Sequence, residues 1–191
     1  MNRKWMVVGG LAAILALAGG MFLGRKVIEG KEPNPLARAA QSARFHEPIS
    51  DVSIEVPANW TRLRSSDGEV RLLVAADPST SLLMRVTKAG LATVTRRSLP
   101  VVKQYTDELL KQDTHARQLA APAPIELGGL PGWRYRYTYA ASDESSGSHV
   151  HYFLFKNGRM IQLVFQASPP SRLDALLPTF DRIAGTFRGS G

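Results

Sequence analysis

Two histidines one residue apart, His149-Val150-His151, form the pair whose spacing points most directly to chemistry. In a strand, residues two apart share a face at about 6.5 to 7 Å, so both imidazoles can ligate one metal ion if a neighbouring segment adds a carboxylate. Asp143 and Glu144 stand in the adjoining stretch. The competing reading makes His149 and His151 half-buried histidines, hydrogen-bonded beside Phe153 and Phe155 on the same face. A zinc or copper centre normally takes a third and fourth ligand at defined spacing, and this pair comes without them.

Arginines supply the second candidate. Trp133, Tyr135, Tyr137 and Tyr139 alternate with Arg134, Arg136 and Thr138, the period of a strand with two unlike faces. The aromatic face reads either as core beneath a helix or as a ligand groove whose hydroxyls reach a wet edge. On the other face, Arg134 and Arg136 are expected to cluster with Arg71 and Arg85 into a basic sheet surface suited to phosphate, carboxylate or an acidic protein patch. The plainer alternative is a solvated face neutralised by Glu55, Glu69 and Glu126.

Other chemistry finds no footing. The chain contains no Cys, which removes disulfides, thiolate metal sites, a cysteine nucleophile and a lipoprotein anchor. No Ser lies in a G-x-S-x-G turn, and Ser148 and His149 are neighbours on opposite strand faces, the wrong geometry for a nucleophile and its base. Arg96-Arg97 reads as a solvated turn, and Asn59-Trp60-Thr61 matches a glycosylation sequon by letter at a strand corner. No nucleotide fingerprint is present, and no catalytic residue or cofactor is implied.

The elements that must position these residues follow from periodicity. Val52, Ile54 and Val56 share one face of a strand that ends at Pro57; Val70, Leu72 and Val74 mark a second, and Leu82, Met84 and Val86 a third, with a turn at Asp77-Pro78-Ser79-Thr80 between those two. Ser98 is expected to cap an amphipathic helix carrying Leu99, Val102, Thr106, Leu109 and Leu110 inward. Gly128 to Gly132 opens the strand Trp133 to Tyr139, and Asn157-Gly158 joins strands 148–156 and 159–167 in a type I′ hairpin. A last helix is expected from Ser171 to Phe187, kinked or split at Pro178. Hairpins with segregated helices indicate an antiparallel α+β fold.

Charge is unevenly placed along the 191 residues. Lys and Arg number 24 against 16 Asp and Glu, a net +8, yet residues 1–45 hold seven basic and two acidic residues, so residues 46–191 carry only +3. That balance gives no nucleic-acid footprint. Arg3 and Lys4 precede an uncharged run from Trp5 to Leu23, closed by Arg25 and Lys26, close to the roughly 20 residues a spanning helix needs. Residues 1–26 therefore read as a membrane anchor, with Ala16-Leu17-Ala18 the alternative of a cleaved signal segment. Residues 27–45 read as a tether whose Ala-rich part, Leu36 to Phe45, can form a short helix, and residues 46–191 as the globular domain. A short N-terminal tail with the domain outside a cell membrane is the expected arrangement.

Several residues in this order carry a family likeness: Pro57-x-x-Trp60, the mid-chain helix, Gly132-Trp133 opening an aromatic strand, His151-Tyr-Phe-Leu-Phe155, and Phe180-x-x-Ile183-x-x-x-Phe187. Together they resemble the PsbP-like family, which includes an extrinsic photosystem II protein, a Ran-binding nuclear import factor and many bacterial envelope proteins. Residues 46–188 also resemble membrane-anchored actinobacterial proteins of unknown function. The resemblance implies an α/β/α sandwich around an antiparallel sheet. About function it implies little beyond this: family members mostly bind other proteins and share no catalytic residues. The anchor, the tether and the missing catalytic constellation lead to the expectation of a binding module without catalysis, toward an envelope protein or an anionic envelope component, with a metal or small-ligand site at His149 and His151 as the alternative.

Overall fold

The computed structural model describes residues 41–91, 93–112, 115–140 and 146–189. The apolar run 5–23, tether residues 27–40, and Asp143 and Glu144 lie outside the described residues. Ten strands and two helices follow one another: β1 (Ser42–Glu47), β2 (Val52–Pro57), β3 (Thr61–Arg62), β4 (Val70–Asp77), β5 (Thr80–Lys88), α1 (Leu99–Lys111), β6 (Arg117–Leu127), β7 (Leu130–Ala140), β8 (Ser146–Lys156), β9 (Arg159–Ala167), α2 (Leu173–Ala184) and β10 (Arg188–Gly189). Seven strands form one sheet in the order β3-β4-β5-β9-β8-β7-β6, and β1-β2-β10 form a small second sheet. Each neighbouring pair is antiparallel.

The β8–β9 hairpin lies near the middle of the large sheet. Asn157 and Gly158 both adopt positive φ, 50° and 72°, the type I′ geometry whose twist matches that of the flanking strands. From that turn the pairing runs without a shift from Lys156↔Arg159 to Ser148↔Ala167. Odd-numbered residues of β8 consequently face one layer and even-numbered residues the other.

One face packs under α1. Leu99, Val102 and Leu109 of the helix meet Trp133, Tyr135, Tyr137, Phe153, Phe155 and Met160. The opposite face carries Leu72, Met84, Val150, Leu154, Leu163 and Phe165, covered by Leu176, Phe180 and Ile183 of α2 together with Val52, Ile54 and Val56 of the small sheet. The expected sandwich is thus refined: among the described residues, one outer layer is formed by α1 and the other by α2 beside a three-stranded sheet.

Four expectations need correction. The stretch read as a possible helix is strand from Ser42 onward, because Ser42 to Glu47 pair with Pro57 to Val52. Strand β6 was not visible in the sequence, since it alternates weakly and contains Pro122 and Pro124. It is an edge strand of the described sheet, shifted in register twice against β7; there a missing N–H is tolerated, and prolines and bulges discourage further pairing. Helix α2 ends at Ala184 and runs unbroken through Pro178, while Phe187 beyond it is still fully buried. Ser98 stands at the α1 N-cap, but its hydroxyl bonds back to Thr95, accepting that N–H at 2.9 Å.

Packing energetics should follow this layering. Phe180 is fully buried against Phe165, so Phe180→Ala is expected to cost about 3 to 5 kcal/mol. Val101, 67% exposed on α1, should tolerate Ala within about 0.5 kcal/mol. Denaturant midpoints of the two variants in detergent provide the measurement.

Candidate functional site

The aromatic stripe of β7 is core. Trp133, Tyr135, Tyr137 and Tyr139 are all buried, so the groove alternative does not describe this face. Their polar tips bind α1 to the sheet. Trp133 Nε1 donates to the Leu99 carbonyl at 2.9 Å, and the Tyr135 hydroxyl donates to Asp107 Oδ1 at 2.8 Å while lying 2.7 Å from Thr106 Oγ1. Burial raises the Tyr135 pKa, so the hydroxyl keeps its proton as a donor. Lys103 pairs with Asp107 at 2.6 Å and lies over the Trp133 ring.

His149 and His151 sit on the same face, as their spacing requires, and both are buried, deeper than the half-burial expected. The Tyr137 hydroxyl lies between them, 3.1 Å from His149 Nδ1 and 3.2 Å from His151 Nδ1. With each Nε2–H donating to a glutamine Oε1, both neutral rings present Nδ1 as an acceptor, and the one hydroxyl proton of Tyr137 is donated to one of them at a time. The outer nitrogens face glutamines of β9: His149 Nε2 is 3.4 Å from Gln166 Oε1, and His151 Nε2 is 3.1 Å from Gln162 Oε1. His151 also stacks on Phe153, and His149 packs against Tyr139. Each ring nitrogen lies within 3.4 Å of a polar partner, so a metal ion would have to displace a neighbour from each ring, and no group of three metal-ligating side chains occurs among the described residues. The chain Gln166-His149-Tyr137-His151-Gln162 fixes the lateral fit of three neighbouring strands.

Neutral imidazole is the form this environment holds. Burial lowers the pKa of His149 to about 4, against a small opposing effect of Gln166. Burial, then the charge of His149, lowers that of His151 to about 3.

The four arginines do not make one patch. Arg85 of β5 stands directly opposite Gln162, which stands opposite Phe153, so it points to the α1 side. It is buried and paired with Asp67 at 3.4 Å and with Glu69. Arg134 and Arg136 point to the α2 side, three strand spacings or about 14 Å away from β5. Arg134 lies 3.5 Å from Asp181 of α2 and over the Tyr152 ring. Arg71, next to a register shift in β4, reaches toward the buried Glu47 at 3.8 Å. Strand order defeats the expected cluster: β9 and β8 intervene between β5 and β7. The stretch holding Asp143 and Glu144 lies outside the described residues, and β8 begins at Ser146.

Sequence reasoning missed Tyr137, Gln162 and Gln166 as partners of the histidines. The signal was present: with the Asn157-Gly158 turn placed, residues of β9 whose numbers sum with those of β8 to 315 must be opposite, which sets Gln166 beside His149.

Linkage gives the pH dependence. Unfolded imidazoles protonate near 6.5, the folded rings only near 4 and 3, so below pH 6.5 the unfolded state binds more protons. Stability from the neutral rings is whole above pH 6.5 and is lost as pH falls toward 4 and 3, at about 1.4 kcal/mol per pH unit for each histidine. Unfolding free energy measured from pH 7 to pH 4 should show this decline, and His151→Gln should halve its slope. Tyr137→Phe removes the shared hydroxyl and is expected to cost about 1 to 3 kcal/mol at pH 7, read from the same curves; an unchanged midpoint would show that the hydroxyl is not a structural link.

No protein-family model and no curated protein matches the chain. Solved structures do. Cyanobacterial PsbP (CyanoP) from Synechocystis sp. PCC 6803 aligns with a TM-score of 0.60 at 14% identity, over 88% of this chain and 99% of that one. LpqN, involved in cell envelope biogenesis of Mycobacterium tuberculosis, aligns at 0.54 and 16% identity over 78% and 90%. The Saccharomyces cerevisiae Ran-binding protein Mog1p aligns at 0.52 and 8% over 78% and 95%. LpqN meets the actinobacterial side of the resemblance in part. At these identities the likeness is one of fold, and the chain has the PsbP-like fold.

Proposed function

We propose that this chain is a non-catalytic binding module, held at the outer side of a cell membrane by residues 5–23, that docks a protein or another envelope component. The observation that carries the reading is how the buried polar groups are used. His149, His151, Tyr135 and Arg85 each engage a partner within the fold, so these groups hold layers together and do not converge on a substrate. The fold neighbours support the same reading: one is described as Ran-binding and another as involved in cell envelope biogenesis. Anchoring rests on the uncharged run between Arg3-Lys4 and Arg25-Lys26.

The module is tested by in-cell crosslinking of the full chain followed by affinity capture, against a control consisting of residues 1–40. A specific protein enriched with the full chain alone is the expected outcome. Equal recovery with both baits, with the full chain verified as folded, would refute the docking role.

A further inference from the structure

We propose that the end of the large sheet at the β8–β9 turn is the docking surface, and that it takes an acidic protein segment carrying an apolar side chain. This rests on the binding-module reading above. Lys88 of β5, Arg159 of β9 and Lys156 of β8 stand directly opposite one another across three adjacent strands. The alternation along β5 and β8 directs all three to the α2 side, where Lys156 Nζ meets the β1–β2 turn through the Asp51 carbonyl at 2.9 Å. Like charges facing one another across a ladder repel. Lysines on outermost strands guard against unwanted pairing, but β5, β9 and β8 are interior, so edge protection does not account for this row.

Neutralisation within the fold is partial. Asp51 lies 3.8 Å from Lys156 and is shared with His46 at 3.9 Å. Among the described residues no carboxylate pairs with Lys88 or Arg159. Lys88 is exposed and Arg159 half-buried.

The turn beside the row is preorganised. The buried Glu47 carboxylate accepts the N–H of Ile49 at 3.2 Å and of Ser50 at 2.6 Å, and Asp51 completes the turn with φ 48°. Held this way, Ile49 stays 52% exposed. The turn that carries this apolar tip is tied to Lys156 through Asp51, at one end of the row whose Lys88 and Arg159 have no carboxylate partner among the described residues, so the surface complements an acidic segment with an apolar residue. The row spans two strand spacings, roughly 10 Å, and two same-face carboxylates of an extended peptide lie about 6.5 to 7 Å apart, within reach of flexible Lys and Arg side chains. Ser42, the first residue of β1, stands about 17 Å along the strand from the turn.

The test uses the full chain in neutral detergent micelles and a fluorescent Glu-Leu-Glu-Leu-Glu peptide, followed by anisotropy. Saturable, salt-sensitive binding is expected, weakened about tenfold by Lys88→Glu with Arg159→Glu and also weakened by Ile49→Ser. Arg136→Ala, on a distant part of the α2 side, should leave it unchanged. Circular dichroism checks that each variant is folded, and the milder Lys88→Gln with Arg159→Gln pair replaces the charge reversal if that variant unfolds. Unchanged affinity in the charge variants, or equal binding of the Gln-Leu-Gln-Leu-Gln peptide, would overturn the proposal. Saturation of the row by inorganic phosphate or glycerol phosphate where the peptide fails would assign it to a phosphate-bearing ligand instead. Capture of a partner in cells that persists in the charge variants would remove this surface and leave the docking role standing; peptide binding without any captured partner would do the reverse.

Discussion

The register of the β8–β9 hairpin governs the rest of the molecule. Two residues with positive φ, Asn157 and Gly158, set which side chains of the two most central strands look toward α1 and which toward α2. A slip of one residue would carry Val150, Tyr152 and Leu154 out of one core and His149, His151 and Phe153 out of the other. Because β5 and β7 pair outward from this hairpin, their faces inherit the same assignment. The hairpin therefore decides the composition of both cores and, at its turn, the alignment of Lys156 with Arg159.

The two faces are stabilised differently. Under α2 and the small sheet the contacts are almost entirely apolar, from Ile54 through Leu163 to Phe180, and area burial dominates. Under α1 the core includes a polar chain of two glutamines, two histidines and a tyrosine. Such a chain contributes little net stability compared with apolar packing, but breaking any link leaves a buried group without a partner. It acts as a register lock: the partners meet only when β7, β8 and β9 are correctly aligned. Neutral histidines suit the role because they offer donor and acceptor on one ring without a buried charge.

The buried polar groups His149, His151, Tyr135 and Arg85 are engaged within the fold, so the proposed docking role falls to the periphery. The solved neighbours share the architecture at 8% to 16% identity, a level at which the core pattern persists while surfaces diverge. What this chain offers a partner must therefore be argued from its own exposed charges and turns. In the arginine quartet, alternation alone does not bring side chains together: β9 and β8 lie between β5 and β7, and Arg85 faces the layer opposite to that of Arg134.

The sequence by itself determined the elements whose signals are local. Period-two runs placed β2, β4, β5, β7, β8 and β9, the apolar stripe of Leu99, Val102 and Leu109 placed α1, and the dihedral demands of Asn157-Gly158 placed the central turn. Strand order, by contrast, was decided only in the tertiary structure, because β5 pairs with β9 after a long excursion through α1, β6, β7 and β8, and no local preference encodes that contact. That order separated the arginines, buried the histidines between Tyr137 and two glutamines, and aligned Lys88 with the hairpin cations. Strands β1 and β6 likewise became strands through pairing: their residues have weak alternation, and in β6 prolines, so their conformation comes from the ladder beside them and not from their own propensity.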